Sequence, residues 1–241
     1  MLKRRVKGIL GGALRLVPLD AFLFLSQRMG KRIASILMFR DWRLQAYGRP
    51  QFFKHEINLS LWRFEPARWS FAARGVYARE SMFRGCSVLD LSCGDGSNSY
   101  LFFSDIAGHI DAVDNDTMAL SYARRYHAAP AISYHQIDIV NQPLPAGRYD
   151  FVVWNAAICY FTESEIRAIL GKITGVAAGK AVFCGMLPAA SGYADHKTEF
   201  SDQESLKALL GGYFGVVTIR EVDEASGRTF YFKASNPLNP A

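Results

Sequence analysis

From residue 86 onward, short apolar runs alternate with longer segments of helical character. That rhythm limits the fold more than any other feature of the chain. VLDLS (88–92), HIDAVD (109–114), AISYHQID (131–138), YDFVVWN (149–155) and KAVFCGML (180–187) have the length and side chains of buried strands. Between them lie SNSYLFFSD (97–105), a stretch from about Asp116 to His127 stopped by Pro130, and TESEIRAILGKI (162–173), each read as a helix. Thr162-x-x-Glu165 has the form of a capping box, and so does Ser201-x-x-Glu204, which opens a further helix ended by Gly211-Gly212. VVTIREV (216–222) and RTFYFKAS (228–235), separated by DEASG, read as a hairpin. Strand-helix alternation closed by a hairpin predicts a mostly parallel α/β sheet with an antiparallel edge.

The charge pattern divides the chain. Residues 1–84 carry 17 Lys and Arg against 5 Asp and Glu, whereas the remainder carries 11 against 17. Two regions with different electrostatic tasks are expected. The basic segment 1–40 mixes Lys3, Arg4, Arg5 and Lys7 with an apolar block containing Leu16, Leu19, Phe22, Leu23 and Phe24. Arg15, Pro18 and Asp20 interrupt that block, and no clear A-x-A cleavage site follows, which argues against a secretory signal or a spanning helix. Peripheral contact with an anionic membrane is one reading of residues 1–40, and a helix packed on the domain is the other. Residues 41–84, rich in arginine and aromatics, read as a helical cap in front of a domain at 85–241. No recognisable nucleic-acid module accompanies those arginines, so nucleic acid is not an expected partner. The four cysteines have no zinc-finger spacing, so no metal is expected, and a reducing, cytoplasmic compartment is the simpler reading.

In open α/β sheets, ligands bind beyond the carboxyl ends of the strands. The first such end is the loop SCGDGS, where Gly94 and Gly96 permit close backbone approach to a ligand. A dinucleotide G-x-G-x-x-G pattern would place glycine where this chain has Ser99, which weakens a nicotinamide reading. Asp114, ending the second strand, suits the ribose of any adenosine ligand.

Asp90, Gly94, Gly96, Asp114, Asp138 and Asn155 all fall at or just after strand ends. This arrangement resembles the class I S-adenosylmethionine-dependent methyltransferases over residues 86 to about 235. VLDLSCGDG resembles the family's first motif, D-x-G-x-G-x-G, with Ser92 in place of the first glycine. AVDND resembles the second motif, QID the third and YDFVVWNAAICYF the fourth. The resemblance implies a Rossmann-like, mostly parallel seven-stranded sheet with an antiparallel C-terminal hairpin, preceded by an N-terminal helical region. It also implies S-adenosylmethionine as the cofactor. Asp90 would orient the loop and reach the amino end of the methionine. Asp114 would bind the ribose hydroxyls, Asp138 the adenine amine with Ile139 against the ring, and Asn155 with Trp154 would face the methionine and sulfonium. Asp90 or Asp138 as a turn cap, Trp154 as core and Asp95 as a solvated loop residue are the plainer alternatives.

Methyl transfer from a sulfonium asks mainly for alignment and exclusion of water, though a hydroxyl acceptor gains from a base. His196 and His55 are the candidate bases, with Asp195 and Tyr160 behind them, while His109, His127 and His135 are expected away from the site. The fourth motif reads Asn155-Ala156-Ala157-Ile158 rather than the [DN]-P-P-[YF] common in methylation of exocyclic or amide nitrogen. A small-molecule acceptor is expected, with O-methylation favoured; a glycan or lipid-linked intermediate is one candidate if the basic segment meets a membrane. A nicotinamide oxidoreductase and a non-catalytic adenosine-ligand binder are the competing readings.

Overall fold

The computed structural model describes Met29 and residues 68–238, except 190, 191, 193, 225 and 226. His55, the segment 1–40 apart from Met29, and the cap residues before 68 lie outside the described residues. The elements are α1 (Arg68–Arg79), β1 (Ser87–Leu91), a π-helix (Ser99–Phe103), β2 (His109–Asp114), α2 (Thr117–Tyr126) and β3 (Ile132–Gln136). They continue with β4 (Tyr149–Trp154), a 3-10 turn (Ile158–Tyr160), α3 (Glu163–Val176), β5 (Ala177–Pro188), α4 (Gln203–Gly211), β6 (Phe214–Glu224) and β7 (Gly227–Pro237). One seven-stranded sheet runs in the order β3-β2-β1-β4-β5-β7-β6. The first five strands are parallel, and β7 is antiparallel to both β5 and β6. The hairpin therefore folds back so that its second strand, not its first, joins the sheet.

Local chemistry explains most boundaries. Asp116 caps α2 by accepting from the N–H groups of Met118 and Ala119. Thr162 and Glu165 form the expected capping box of α3. The second expected box is not formed: Asp202, one residue later than predicted, caps α4 by accepting from the Ser205 N–H. Aspartate and serine cap about equally well, and here it is the Asp202 carboxylate that reaches the Ser205 N–H, at 2.8 Å.

The helix expected after β1 is a π-helix, closed by Ser104 N–H to Ser99 O at 2.9 Å. It carries Phe103 into the core and Phe102 against α1. Gly75 makes that contact feasible, because a Cβ there would lie 2.3 Å from the Phe102 ring. Arg79 ties the same two elements by donating to the Phe102 carbonyl and the Asp105 carboxylate.

Two apolar layers sandwich the sheet. On one face Leu89, Leu91, Val152, Trp154 and Phe183 pack with Ile166, Ile169 and Ile173 of α3 and Leu206 and Leu210 of α4. On the other, Val88, Ile110, Val153 and Cys184 meet Ala78, Met82 and Phe103. Because strand residues alternate between faces, Asp90, Asn155, Met186 and Tyr231 share the α1 face. Among the described residues, no helix is long and apolar enough to cross a membrane.

Candidate active site

The loop after β1 bends through three left-handed residues, Ser92 at φ +53°, Gly94 at +57° and Gly96 at +72°. Serine takes a conformation that glycine adopts at no steric cost, and its hydroxyl oxygen accepts from the Trp154 indole N–H at 3.3 Å. Gly94 faces open space, so close passage of a ligand is feasible there. Gly96 has a different reason: a Cβ would strike the Tyr134 hydroxyl at 2.3 Å. Tyr134 in turn donates to the His127 carbonyl, and His127 Nδ1 bonds the Asp95 carbonyl at 2.6 Å. His127, expected far from the site, thus braces the loop from behind.

Buried carboxyls crowd this loop. Asp90 is 2% exposed and accepts from Ser99 Oγ at 2.6 Å, with burial pushing its pKa up to about 7. Asp95, expected to be a solvated loop residue, is instead buried and capped by Ser97, and desolvation raises it as well. Arg74 of α1 lies under the charges of both, while burial pulls its own pKa down. Ser99, which broke the dinucleotide pattern, is the residue that holds Asp90.

The other predicted positions sort cleanly. Asp114 accepts from Gly94 N–H at 2.8 Å on one oxygen and Asp116 N–H at 2.9 Å on the other. Each oxygen keeps a lone pair, enough for a vicinal diol. Asp138 is engaged in its own turn, taking Val140 N–H and Asn141 N–H on one oxygen and the Asn141 amide on the other. Ile139 is buried in the core beneath that turn, and Lys172 of α3 donates to the carbonyls of Ile139, Val140 and Gln142 at 2.7–2.9 Å. Trp154 is wholly buried against Phe161 in the α3 face, so its ring is core rather than an open wall. The alternation of a strand end puts the tryptophan inward and Asn155 on the opposite face.

His196 stands in the loop after β5, where Lys197 and Thr198 N–H groups bond the Cys159 carbonyl. Its side chain is 4% exposed, with Nδ1 at 3.5 Å from Glu199 and its ring edge-on to Tyr160 at 5.3 Å. It therefore borders the loop after β4. His109 and His135 bind Asp111, together with the Tyr149 hydroxyl, well below the strand ends. Among the described residues, no three His, Cys, Asp or Glu side chains gather as metal ligands.

Several buried polar atoms lack a hydrogen-bond partner: Arg74 Nε, Asn98 Oδ1, both amide atoms of Asn155 and Glu224 Oε2. Such groups are costly unless a ligand completes them. Free donors on Arg74 and Asn155 and free acceptors on Asn98 and Asn155 match in kind the carboxylate and ammonium of a zwitterion. Together with the Asp114 diol acceptor and the open Gly94 turn, they fit the methionine and ribose of an S-adenosyl ligand.

Residues 88–178 match the family model described as a methyltransferase domain. No curated protein matches the sequence. Among solved structures, the N-methyltransferase NodS of Bradyrhizobium japonicum WM9 in complex with S-adenosyl-L-homocysteine superposes with a TM-score of 0.58 at 15% identity, covering 77% of this chain and 96% of that one. Magnesium protoporphyrin IX methyltransferase of Synechocystis PCC 6803, with bound S-adenosylhomocysteine, gives 0.58 at 13% identity over 87% of this chain and 99% of its own. The DhpI–S-adenosylhomocysteine complex gives 0.54 at 18% over 75% and 96%. At these identities the likeness is one of fold, while the family match falls on the strands and loops that build the site. Over residues 88–178, therefore, this chain is similar to the methyltransferase domain, and its fold is that of methyltransferases solved with S-adenosylhomocysteine.

Proposed function

We propose that the protein transfers the methyl group of S-adenosylmethionine to a hydroxyl of a small-molecule acceptor, a glycan or lipid-linked intermediate being one candidate class. The observation that carries the donor half is the set of unpartnered buried groups on Arg74, Asn98 and Asn155 beside the Gly94 turn. Asp114 takes the ribose diol, and the Asp138–Ile139 turn, clamped by Lys172, receives the adenine. Asp90 sets the loop through Ser99 and reaches the ammonium. The sulfonium supplies an already activated methyl group, so the protein's task is to align the acceptor and keep water out.

The acceptor half rests on the loop after β4. Ala156 occupies a left-handed turn (φ +55°) and donates to the Met186 carbonyl at 2.7 Å. That turn stands where nitrogen-directed members of the family commonly carry paired prolines. His196 borders the same loop, with Nδ1 3.5 Å from Glu199, and is the candidate base for the acceptor's proton. The neighbours named as an N-methyltransferase and as a magnesium protoporphyrin IX methyltransferase share this fold, so the sheet itself does not select the acceptor.

Titration calorimetry with S-adenosylhomocysteine and with NAD tests the donor: micromolar binding of the first and none of the second is expected, and the reverse overturns the reading. Screening labelled methyl donor against nucleotide sugars, lipid-linked glycans and phenols tests the acceptor. Methylation confined to amines would refute the oxygen assignment.

A further inference from the structure

The groups assigned to the donor leave one unpartnered buried atom unexplained, Glu224 Oε2. Glu224 ends β6, on the α1 face, at the same end of the sheet as Asn155. Register fixes this: Arg220 of β6 pairs with Tyr231 of β7, and Tyr231 pairs with Met186 of β5, whose carbonyl holds the loop of Asn155. At about 4.8 Å per strand, the Tyr231 backbone stands roughly 10 Å from that of β4, the distance of a small molecule laid beside the donor.

The carboxylate is held, not loose. The Tyr231 hydroxyl donates to Glu224 Oε1, leaving Oε2 free. Tyr231 is wedged edge-on against Tyr77 of α1 at 5.0 Å. Lys233 lies over the Tyr77 ring at 4.4 Å and pairs with Glu80 at 3.5 Å. Helix α1 and the hairpin are therefore locked together around a carboxylate with one open oxygen. Arg74 lies on the same helix α1, one turn before the Tyr77 that meets Tyr231.

We propose that Glu224, oriented by Tyr231, is the specificity-determining anchor of the acceptor subsite, recognising a hydroxyl or ammonium hydrogen-bond donor on the methyl acceptor. An apolar acceptor would leave the buried oxygen unsatisfied and is disfavoured for that reason. This inference rests on the donor assignment above. It gives Glu224 no part in the proton transfer assigned to His196, so the two can fail separately.

The test uses the full chain and S-adenosylhomocysteine analogues in which nitrogen replaces sulfur and carries a short alkyl arm ending in methyl, hydroxyl or ammonium. The arm passes through the transfer position into the acceptor side. Calorimetry should show the hydroxyl or ammonium arm binding about tenfold or more tightly than the methyl arm. Which of the two gains identifies the acceptor as alcohol or amine. Glu224→Gln should abolish most of that gain, Tyr231→Phe should reduce it, and both variants should bind S-adenosylhomocysteine as the parent protein does. Equal binding of all three arms, or a gain that survives in Glu224→Gln, overturns the proposal. Failure of the parent protein to bind S-adenosylhomocysteine would instead refute the donor assignment.

Discussion

Asp90 offers the sharpest quantitative test, because its buried carboxyl should make stability and ligand affinity run in opposite directions with pH. Its pKa is pushed from 3.8 to about 7, chiefly by burial. Between those values the folded chain holds a proton that the unfolded chain has lost. Stability therefore falls as pH rises, by about 1.4 kcal/mol per unit, and levels off above pH 7. The whole excursion is about 4 kcal/mol. Asp90→Asn keeps a partner for the Ser99 hydroxyl and removes the titration. Its advantage over the parent protein should grow from pH 4 to pH 7 and then stay constant, as read from denaturant melts across that range. S-adenosylhomocysteine should show the opposite trend. A ligand ammonium facing the ionised carboxyl favours loss of the proton, so the parent protein should bind more tightly on going from pH 6 to pH 8, by up to about tenfold per unit below pH 7. Binding by Asp90→Asn should be weaker and should lack this component. A stability difference that does not change with pH, or ligand affinity with the same pH profile in both proteins, would show that Asp90 neither titrates near neutrality nor meets the ammonium.

Three further outcomes are expected. Asp114→Ala should cost about 1.5–3 kcal/mol of S-adenosylhomocysteine binding, the worth of hydrogen bonds to a charged group; an unchanged dissociation constant in the folded variant would remove Asp114 from the site. Gly185→Ala places a Cβ 2.1 Å from the Trp154 carbonyl oxygen, between β4 and β7, so it should lower stability by about 3 kcal/mol or more; a melting temperature within a few degrees of the parent would contradict that packing. Deleting residues 1–40, which carry most of the chain's excess basic charge, should release the protein from anionic vesicles and leave donor affinity intact; an intact protein that stays in the supernatant at low salt sinks the membrane proposal.

Which of these residues the sequence reveals depends on how far apart in the chain the cooperating groups lie. Strands β1 to β5 announce themselves because each is a short apolar run. The Thr162–Glu165 box announces α3 because both partners sit within one turn. The placement of Asp90, Asp114 and Asn155 is legible for the same reason: position at a strand end is local information, and in parallel sheets strand ends are where a ligand site is expected. The misreadings begin where a second segment decides. Asp95 looks solvated until Ser97 and His127 enclose it, and Gly96 looks like a ligand contact until the Tyr134 ring from β3 is seen to require it. The π-helix escapes because its phenylalanines obey the packing of α1 rather than a 3.6-residue period. Arg74, Glu224 and Tyr231 carry no motif at all. Tyr231 comes beside Met186 of β5, bringing Glu224 with it, only because β7 slots between β5 and β6, a choice of strand order that no single stretch of sequence encodes. The donor half of the site, built from the ends of consecutive parallel strands, is thus readable from residues 88–155. The proposed acceptor half draws on both ends of the domain, where a shared sheet can acquire a substrate preference of its own.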